Sequence, residues 1–193
     1  MQPQVYPDEL SIRDALQIYF SKYHFQNGGY HLKWFKIKVG KLFIPLPNIK
    51  ARIDAVKIHD IHHLVTEYPA TLKGEAEIGA WEIASGCGKY WVAWLLNFGS
   101  LVYGLVFFPK PVYKAFMNAR KCRTNCYYDT EYNDTLLNKT LGEIRTMVDI
   151  NYAKNTTTDK ILFIAWCIAV LSAYVVFFLM LFLAACIIIQ LSK

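Results

Sequence analysis

Charge is scarce in this chain, and histidine scarcer. Asp, Glu, Lys and Arg make up 19% of the 193 residues, against about 25% in an ordinary soluble domain. There are five His and five Cys. An odd, thinly spread Cys set excludes a disulfide-stapled miniprotein and fits a reducing compartment. Internal repeats and low-complexity tracts are absent. In excess is apolar side chain, 54% of residues, with 16% aromatic. So much material to bury is incompatible with disorder, and the length suits one ordinary domain. The net charge is +6.

The apolar surplus gathers at the C-terminal end. Ile161 to Leu191 runs for 31 residues without a charge, a Gly or a Pro, and Ser172 and Gln190 are its clearly polar members. A helix needs ~20 apolar residues to cross a bilayer. At 1.5 Å per residue this one reaches about 46 Å, so it spans with tilt to spare. Nothing in it signals a turn, which argues against two short passes. The N-terminal Met1-Gln2-Pro3-Gln4 lacks the basic flank and apolar core of a signal peptide, so the expectation is a tail-anchored protein. Arg145, Lys154 and Lys160 precede the span and Lys193 follows it. That bias puts the N-terminal part on the cytoplasmic side. The Asn-x-Thr sequences at Asn133, Asn138 and Asn155 then never meet a glycosylating lumen. Cys167 and Cys186 fall inside the span, while Cys122 and Cys126 can share a helical face. Two ligands do not make a zinc site, so these read as ordinary thiols.

The remainder reads as mainly helical. Asp8 is placed to cap a helix carrying Ile12, Leu16, Tyr19, Phe20 and Tyr23 at helical spacing, with Gly28-Gly29 as its stop. Residues 32–46 interleave Lys33, Lys36, Lys38 and Lys41 with Trp34, Phe35, Ile37, Val39, Leu42 and Ile44. A strand pair, a membrane-surface stretch and a nucleic-acid contact all fit this pattern. The membrane surface is preferred over nucleic acid, because anionic lipid attracts Lys and the chain already has an anchor. Pro45 and Pro47 close the segment. Further helices are expected from about Ile53 to Thr66 and from Thr71 to Ser85, with Gly86 as a C-terminal stop. Tyr90 to Phe108 is uncharged but interrupted by Asn97, Gly99, Ser100 and Gly104. A helix buried in the domain or dipping into the bilayer is favoured there over a full crossing. Leu137, Leu141, Ile144 and Val148 mark one more amphipathic helix.

Three of the five His fall within five residues: His59, His62 and His63, with Asp60 between them. Positions four apart share a helical face, so His59 and His63 project together. Asp60 lies about 100° round from His59, and His62 points elsewhere. Two imidazoles and a carboxylate make a good divalent-metal set. After eleven intervening residues beyond His63 stands Glu75, which an antiparallel helix would return to the same site. Glu67, Glu77 and Glu82 are nearby alternatives that spacing alone does not eliminate. His59-x-x-His62-His63 also matches one histidine box of membrane desaturases, but those enzymes need more His than five. His59-Asp60 fits an HD-type phosphohydrolase, which would draw further ligands from His24, His31, Asp129, Asp134 or Asp149.

His59-Asp60-x-x-His63, eleven residues, then Glu75 resembles the signature of the coenzyme Q (ubiquinone) biosynthesis protein 4 family. Pro69 in the connection, Gly74-Glu75, Trp81-Glu82, Gly86, Arg120, Tyr132 and Leu141-Gly142-Glu143-Ile144-Arg145 follow at familiar spacing. The likeness covers about residues 50–150. It implies a mainly α, membrane-associated helical domain and a divalent metal held by His59, Asp60, His63 and Glu75. Zinc is usual there, and Mn, Fe or Co would suit the ligands. It also implies simple or oxidative decarboxylation of a polyprenylated hydroxybenzoate or related prenyl lipid, which makes the chain a metal-dependent carbon–carbon lyase. Lys57, Lys73 or Arg120 would steer the substrate carboxylate, and residues 90–108 would line a groove for the prenyl tail. The partners expected are membrane lipid, the prenylated aromatic substrate and other quinone-biosynthesis proteins, with room for a homodimer and no nucleic acid. A non-catalytic lipid-binding scaffold and a lipid phosphohydrolase are the competing functions. The division expected is 1–50, an N-terminal helix and basic/aromatic segment; 51–152, the metal-binding helical domain; and 160–192, a transmembrane anchor. The anchor and the first 50 residues depart from the family pattern.

Overall fold

The computed structural model describes residues 6–39 and 42–191, with the side chains of 36–44, Asp129 and Leu191 left aside. Met1–Gln4 and Lys193 lie outside the described residues, as do the side chains of Lys36, Lys38 and Lys41.

The first helix, α1, is Ile12–Tyr23. Its cap is Ser11, whose side chain accepts from the Asp14 N–H. Asp8, the expected cap, instead pairs with Arg145 at 2.5 Å. Ile12, Ala15, Leu16, Tyr19 and Phe20 are buried along one face. His24 adopts the left-handed conformation and closes the helix, so the stop comes before Gly28-Gly29. Those glycines sit in the short 3-10 turn Gln26–Gly29.

Two antiparallel strands follow, β1 (Trp34–Val39) and β2 (Leu42–Pro47). Pro45 lies opposite Lys36 and Pro47 opposite Trp34. The prolines therefore lie inside β2 instead of closing the segment. A two-stranded ribbon leaves each strand an unpaired edge, where a missing N–H costs nothing. The Asn48 side chain ties the base of the hairpin to the Gly29 and Leu32 carbonyls at 3.1 and 2.8 Å.

Helices α2 (Lys50–Thr66) and α3 (Leu72–Ser85) form the scaffold of the site. Thr71 caps α3 by accepting from the Gly74 N–H. Gly74 faces the Pro69 carbonyl so closely that a Cβ there would stand 1.7 Å from the oxygen. That approach lets the chain double back. Gly86, at φ 90°, ends α3 as expected.

Helix α4 (Trp91–Phe107) packs along α3, with Gly79 against Ser100 and Gly104 against Ala76 and Val112. At 17 residues it is an apolar helix docked on the domain, one face buried and one exposed. α5 (Pro109–Ala119) returns beside it. The amphipathic helix expected over 137–148 is two: α7 (Asp134–Leu137) and α8 (Leu141–Val148), after the short α6 (Cys126–Asp129). The break falls at Thr140, which forms a capping box with Glu143. Cys122 lies between α5 and α6, so it shares no helix with Cys126. Asn133 caps α7, and the Asn155 amide donates to the Met117 carbonyl.

A single apolar cluster joins Ile12 and Leu16 of α1, Ile58, Ile61 and Leu64 of α2, Trp81 of α3, Phe116 of α5 and Ile144 of α8. The N-terminal helix thus shares its core with the segment that follows the hairpin. The last helix, α9 (Thr157–Leu191), is the one element among the described residues long and apolar enough to cross a membrane. The mean hydropathy of its most apolar 18-residue stretch is 2.7. Phe163, Trp166, Val170 and Tyr174 turn toward α4 and α5, and most of the helix beyond is exposed. Arg120 locks its foot, bonding Asp159 at 2.8 Å and the Ala84 carbonyl at 3.1 Å.

Candidate metal centre

His59 and His63, one turn apart on α2, bring their Nε2 atoms within 3.2 Å of each other. Glu75, in the first turn of α3, reaches both: Oε2 lies 3.4 Å from His59 and Oε1 3.3 Å from His63. These three residues form a group able to hold an ion, their ligand atoms all within 4.8 Å. Nitrogen and oxygen donors about 2.0–2.1 Å from a common tetrahedral centre stand about 3.3–3.4 Å apart. The two imidazole nitrogens stand close to that spacing, at 3.2 Å, whereas Glu75 meets each histidine with a different oxygen, so an ion would draw one oxygen in or take both.

What lies behind the rings decides which nitrogen is available. The His63 Nδ1 is 2.7 Å from the Tyr68 carbonyl, which can only accept, so Nδ1 carries the proton and Nε2 presents its lone pair to the triangle. The His59 Nδ1 is 3.0 Å from Glu82 Oε1, with the same result. Outer hydrogen bonds of this kind fix the tautomer and orientation of metal-binding imidazoles and raise their basicity. Tyr19 stacks on the His63 ring at 5.5 Å.

Glu82 is fully buried and saturated. Its Oε1 accepts from His59 and, at 2.7 Å, from His62. Oε2 accepts from the Asn97 amide at 2.6 Å and the Tyr127 hydroxyl at 3.1 Å. Both nitrogens of His62 are engaged, since its Nε2 accepts the Cys126 N–H at 3.1 Å. His62 therefore braces α2 against α3 and α6 and has no free lone pair for an ion.

The electrostatics favour a cation. Burial opposes protonation of His59, but Glu82 and Glu75 outweigh it and raise its pKa well above the usual range. Burial alone would raise the Glu75 carboxyl, yet His63 and His59 hold it well below the ordinary range. Glu82 is depressed too, by His59 and His62 against its burial. Glu75 and Glu82 thus draw positive charge to His59, and a divalent ion would take the place of that extra proton, leaving both imidazoles neutral and balancing the two carboxylates.

Of the four ligands expected, His59, His63 and Glu75 come together. Asp60 is buried beside them, outside the group of three, and accepts a hydrogen bond from the Tyr30 hydroxyl. Burial lifts its pKa to about 6, although His59 and Tyr30 pull the other way. Among the alternative acids, Glu67 pairs with Arg145 and Glu77 with Lys73. Neither joins the triangle, and Glu82 supports it from behind. None of His24, His31, Asp134 or Asp149 belongs to the group, and the Asp129 side chain lies outside the described residues. Of the cations expected to steer a carboxylate, Lys73 is paired with Glu77 and Arg120 with Asp159. Lys57 lies over the Tyr132 ring at 4.9 Å. Sequence reasoning gave Tyr30, Tyr68, Asn97 and Tyr127 no part in the site; of these Asn97 alone left a signal, as an amide within an uncharged helix.

The His63 side chain is 1% exposed and the Glu75 side chain 41%. The triangle is therefore closed behind and reached from the Glu75 side. Three protein ligands with an approachable fourth position are characteristic of catalytic sites, whereas structural zinc sites close all four. Comparison of the chain with protein-family models, with curated proteins and with solved structures finds no match. Fold and site together define a helical protein with a membrane-capable helix and a three-residue candidate metal centre.

Proposed function

We propose that the chain is a divalent-metal-dependent lyase that removes the ring carboxylate of a polyprenylated hydroxybenzoate, or a related prenyl lipid, at a membrane. The observation that carries the reading is the convergence of His59, His63 and Glu75 on one point open to solvent. The resemblance of His59-Asp60-x-x-His63 and Glu75 to the ubiquinone-biosynthesis signature supplies the substrate class. The α9 helix suits a substrate that resides in lipid.

His59, His63 and Glu75 would hold the ion, and Glu82 and the Tyr68 carbonyl keep both imidazoles pointed at it. A bound divalent ion would supply a Lewis acid that stabilises the negative charge left on the ring as carbon dioxide departs. Asp60 stands beside the site with a pKa of about 6. In this reading it would deliver the proton that the ring carbon takes up in place of the carboxylate. Zinc is the ion the resemblance favours, and two imidazoles with a carboxylate also accept Mn, Fe or Co. Other quinone-biosynthesis proteins are the proposed neighbours at the membrane.

The test pairs metal analysis of the purified full chain with mass spectrometry of lipids from cells carrying the parent or His63→Ala protein. The expected result is near-stoichiometric metal in the parent, its loss in His63→Ala, and accumulation of the carboxylated prenyl aromatic. Unchanged lipids with a folded, metal-free variant would leave a scaffold role instead. Phosphate release from prenyl phosphates by the parent would replace the lyase with a phosphohydrolase.

A further inference from the structure

We infer that the tip of the α4–α5 hairpin, Val106 to Pro109, inserts into the same bilayer leaflet that α9 enters. The inference is independent of the metal and of the reaction.

It follows from chain direction. Trp94 and Phe98 of α4 pack on Trp166, at ring separations of 5.6 and 5.9 Å. One step further on, Gly99 faces the Tyr174 hydroxyl. α4 therefore runs parallel to α9. α5 runs the opposite way: Tyr113 and Phe116 pack on Phe163, each at 5.1 Å, and Arg120 then bonds Asp159. The turn between α4 and α5 must point toward the C-terminal half of α9.

Helix rise sets its level. Four residues back from Tyr113 carry α5 about 6 Å beyond Phe163, and eight residues on from Gly99 carry α4 about 12 Å beyond the Tyr174 contact. Along α9, the tip thus falls between the levels of Cys167 and Phe182. A hydrocarbon core ~30 Å thick takes about 20 helical residues. Counted back from Leu191, where the apolar run gives way to Ser192 and Lys193, that core begins near Ser172. The bracket straddles that boundary, from about 7 Å outside it to about 15 Å inside, and its midpoint lies just inside.

Its chemistry suits that position. Val106 is 66% and Phe107 62% exposed, large apolar side chains at the end of an uncharged helix. The exposed apolar flank of α9 runs on beyond its ring contacts with α4 and α5, in the direction in which the tip points. Lys110 and Lys114 follow on the exposed side of α5, where long stems can follow apolar surface while their ammonium groups stay with anionic headgroups.

Phe107→Cys and Trp91→Cys full-length proteins, labelled with a small fluorophore and reconstituted in vesicles of phosphatidylcholine and phosphatidylglycerol, test this. Trp91 is 58% exposed at the opposite end of α4, about 24 Å from position 107 along the helix, and serves as the aqueous reference. The parent, labelled in parallel, subtracts the native cysteines, and far-UV circular dichroism verifies the fold. Acyl-chain-brominated lipid should quench the position-107 label several-fold more than the position-91 label. Quenching at 107 equal to or below that at 91 overturns the inference.

Discussion

Replacing Glu82 with Gln separates the support of the candidate centre from its ligands. Glu82 touches no ion in the proposed geometry, yet it holds the Nδ1–H of His59 at 3.0 Å and so aims Nε2 at the triangle. Gln keeps the volume of a fully buried side chain and removes one charge. Its amide can face either pair of donors. Facing the imidazoles, it would force His62 to exchange tautomers and set a ring N–H against the Cys126 N–H. Facing Asn97 and Tyr127 is cheaper, because the Asn97 amide can turn over and the Tyr127 hydroxyl can rotate toward the Ala55 carbonyl, 3.5 Å away. The variant should therefore fold with His59 still held, but by a neutral acceptor in place of a carboxylate. Losses of such outer partners weaken metal affinity about 10–100-fold, or about 1.4–2.7 kcal/mol. Competition between the detergent-solubilised full chain and a chromogenic chelator measures the Kd directly. A folded Glu82→Gln protein whose Kd stays within about twofold of the parent's would refute the reasoning, since an outer partner that orients a ligand costs more than that.

Three further perturbations probe the frame. In Gly74→Ala the added methyl meets the Pro69 carbonyl, so the α2–α3 turn must open and carry Glu75 away from the histidines. We expect a stability loss of about 1–3 kcal/mol together with weaker metal binding, read by thermal unfolding with and without added metal. Asn97→Leu withdraws a buried donor from Glu82 and should cost about 1–3 kcal/mol in chemical denaturation; an unchanged midpoint would show that Glu82 needs no fourth donor. Arg120→Ala removes the bonds to Asp159 and the Ala84 carbonyl. It should speed proteolytic cleavage within 149–156 while the midpoint of domain unfolding barely moves, and equal cleavage rates would mean that apolar packing alone seats α9.

Helix α3 was legible because its boundaries are local chemistry: Thr71 accepts from its own first turn and Gly86 takes a positive φ. The pairing of His59 with His63 was legible for a similar reason, since it follows from helical periodicity alone. The choice among four acids was not. Glu75 and Glu82 are seven residues apart and share a face of α3, so both confront α2. Which one meets the ion depends on how closely the two helices approach at the turn, and that is set by the contact between Gly74 and Pro69. The break at Thr140 was present in the sequence as Thr140-x-x-Glu143, but the apolar spacing of Leu137 and Leu141 masked it. Cross-chain partners such as Tyr30 on Asp60 and Tyr127 on Glu82 carry no local signal at all.

Asn97 joins the two halves of the molecule. It lies on the buried face of α4, an otherwise uncharged helix, and donates to the carboxylate that orients His59. A few residues on, the same helix presents Val106 and Phe107 to the exterior. Any tilt of α4 that follows its exposed end must therefore be felt at Glu82, because Gly79 against Ser100 and Gly104 against Ala76 leave no slack between α4 and α3. The close packing of small residues along that seam makes α4 a rigid lever and not a loose cover. It follows that substitutions at the exposed end should alter metal affinity only when they move the helix, and that Gly104, more than Phe107, is the position where the two properties are coupled.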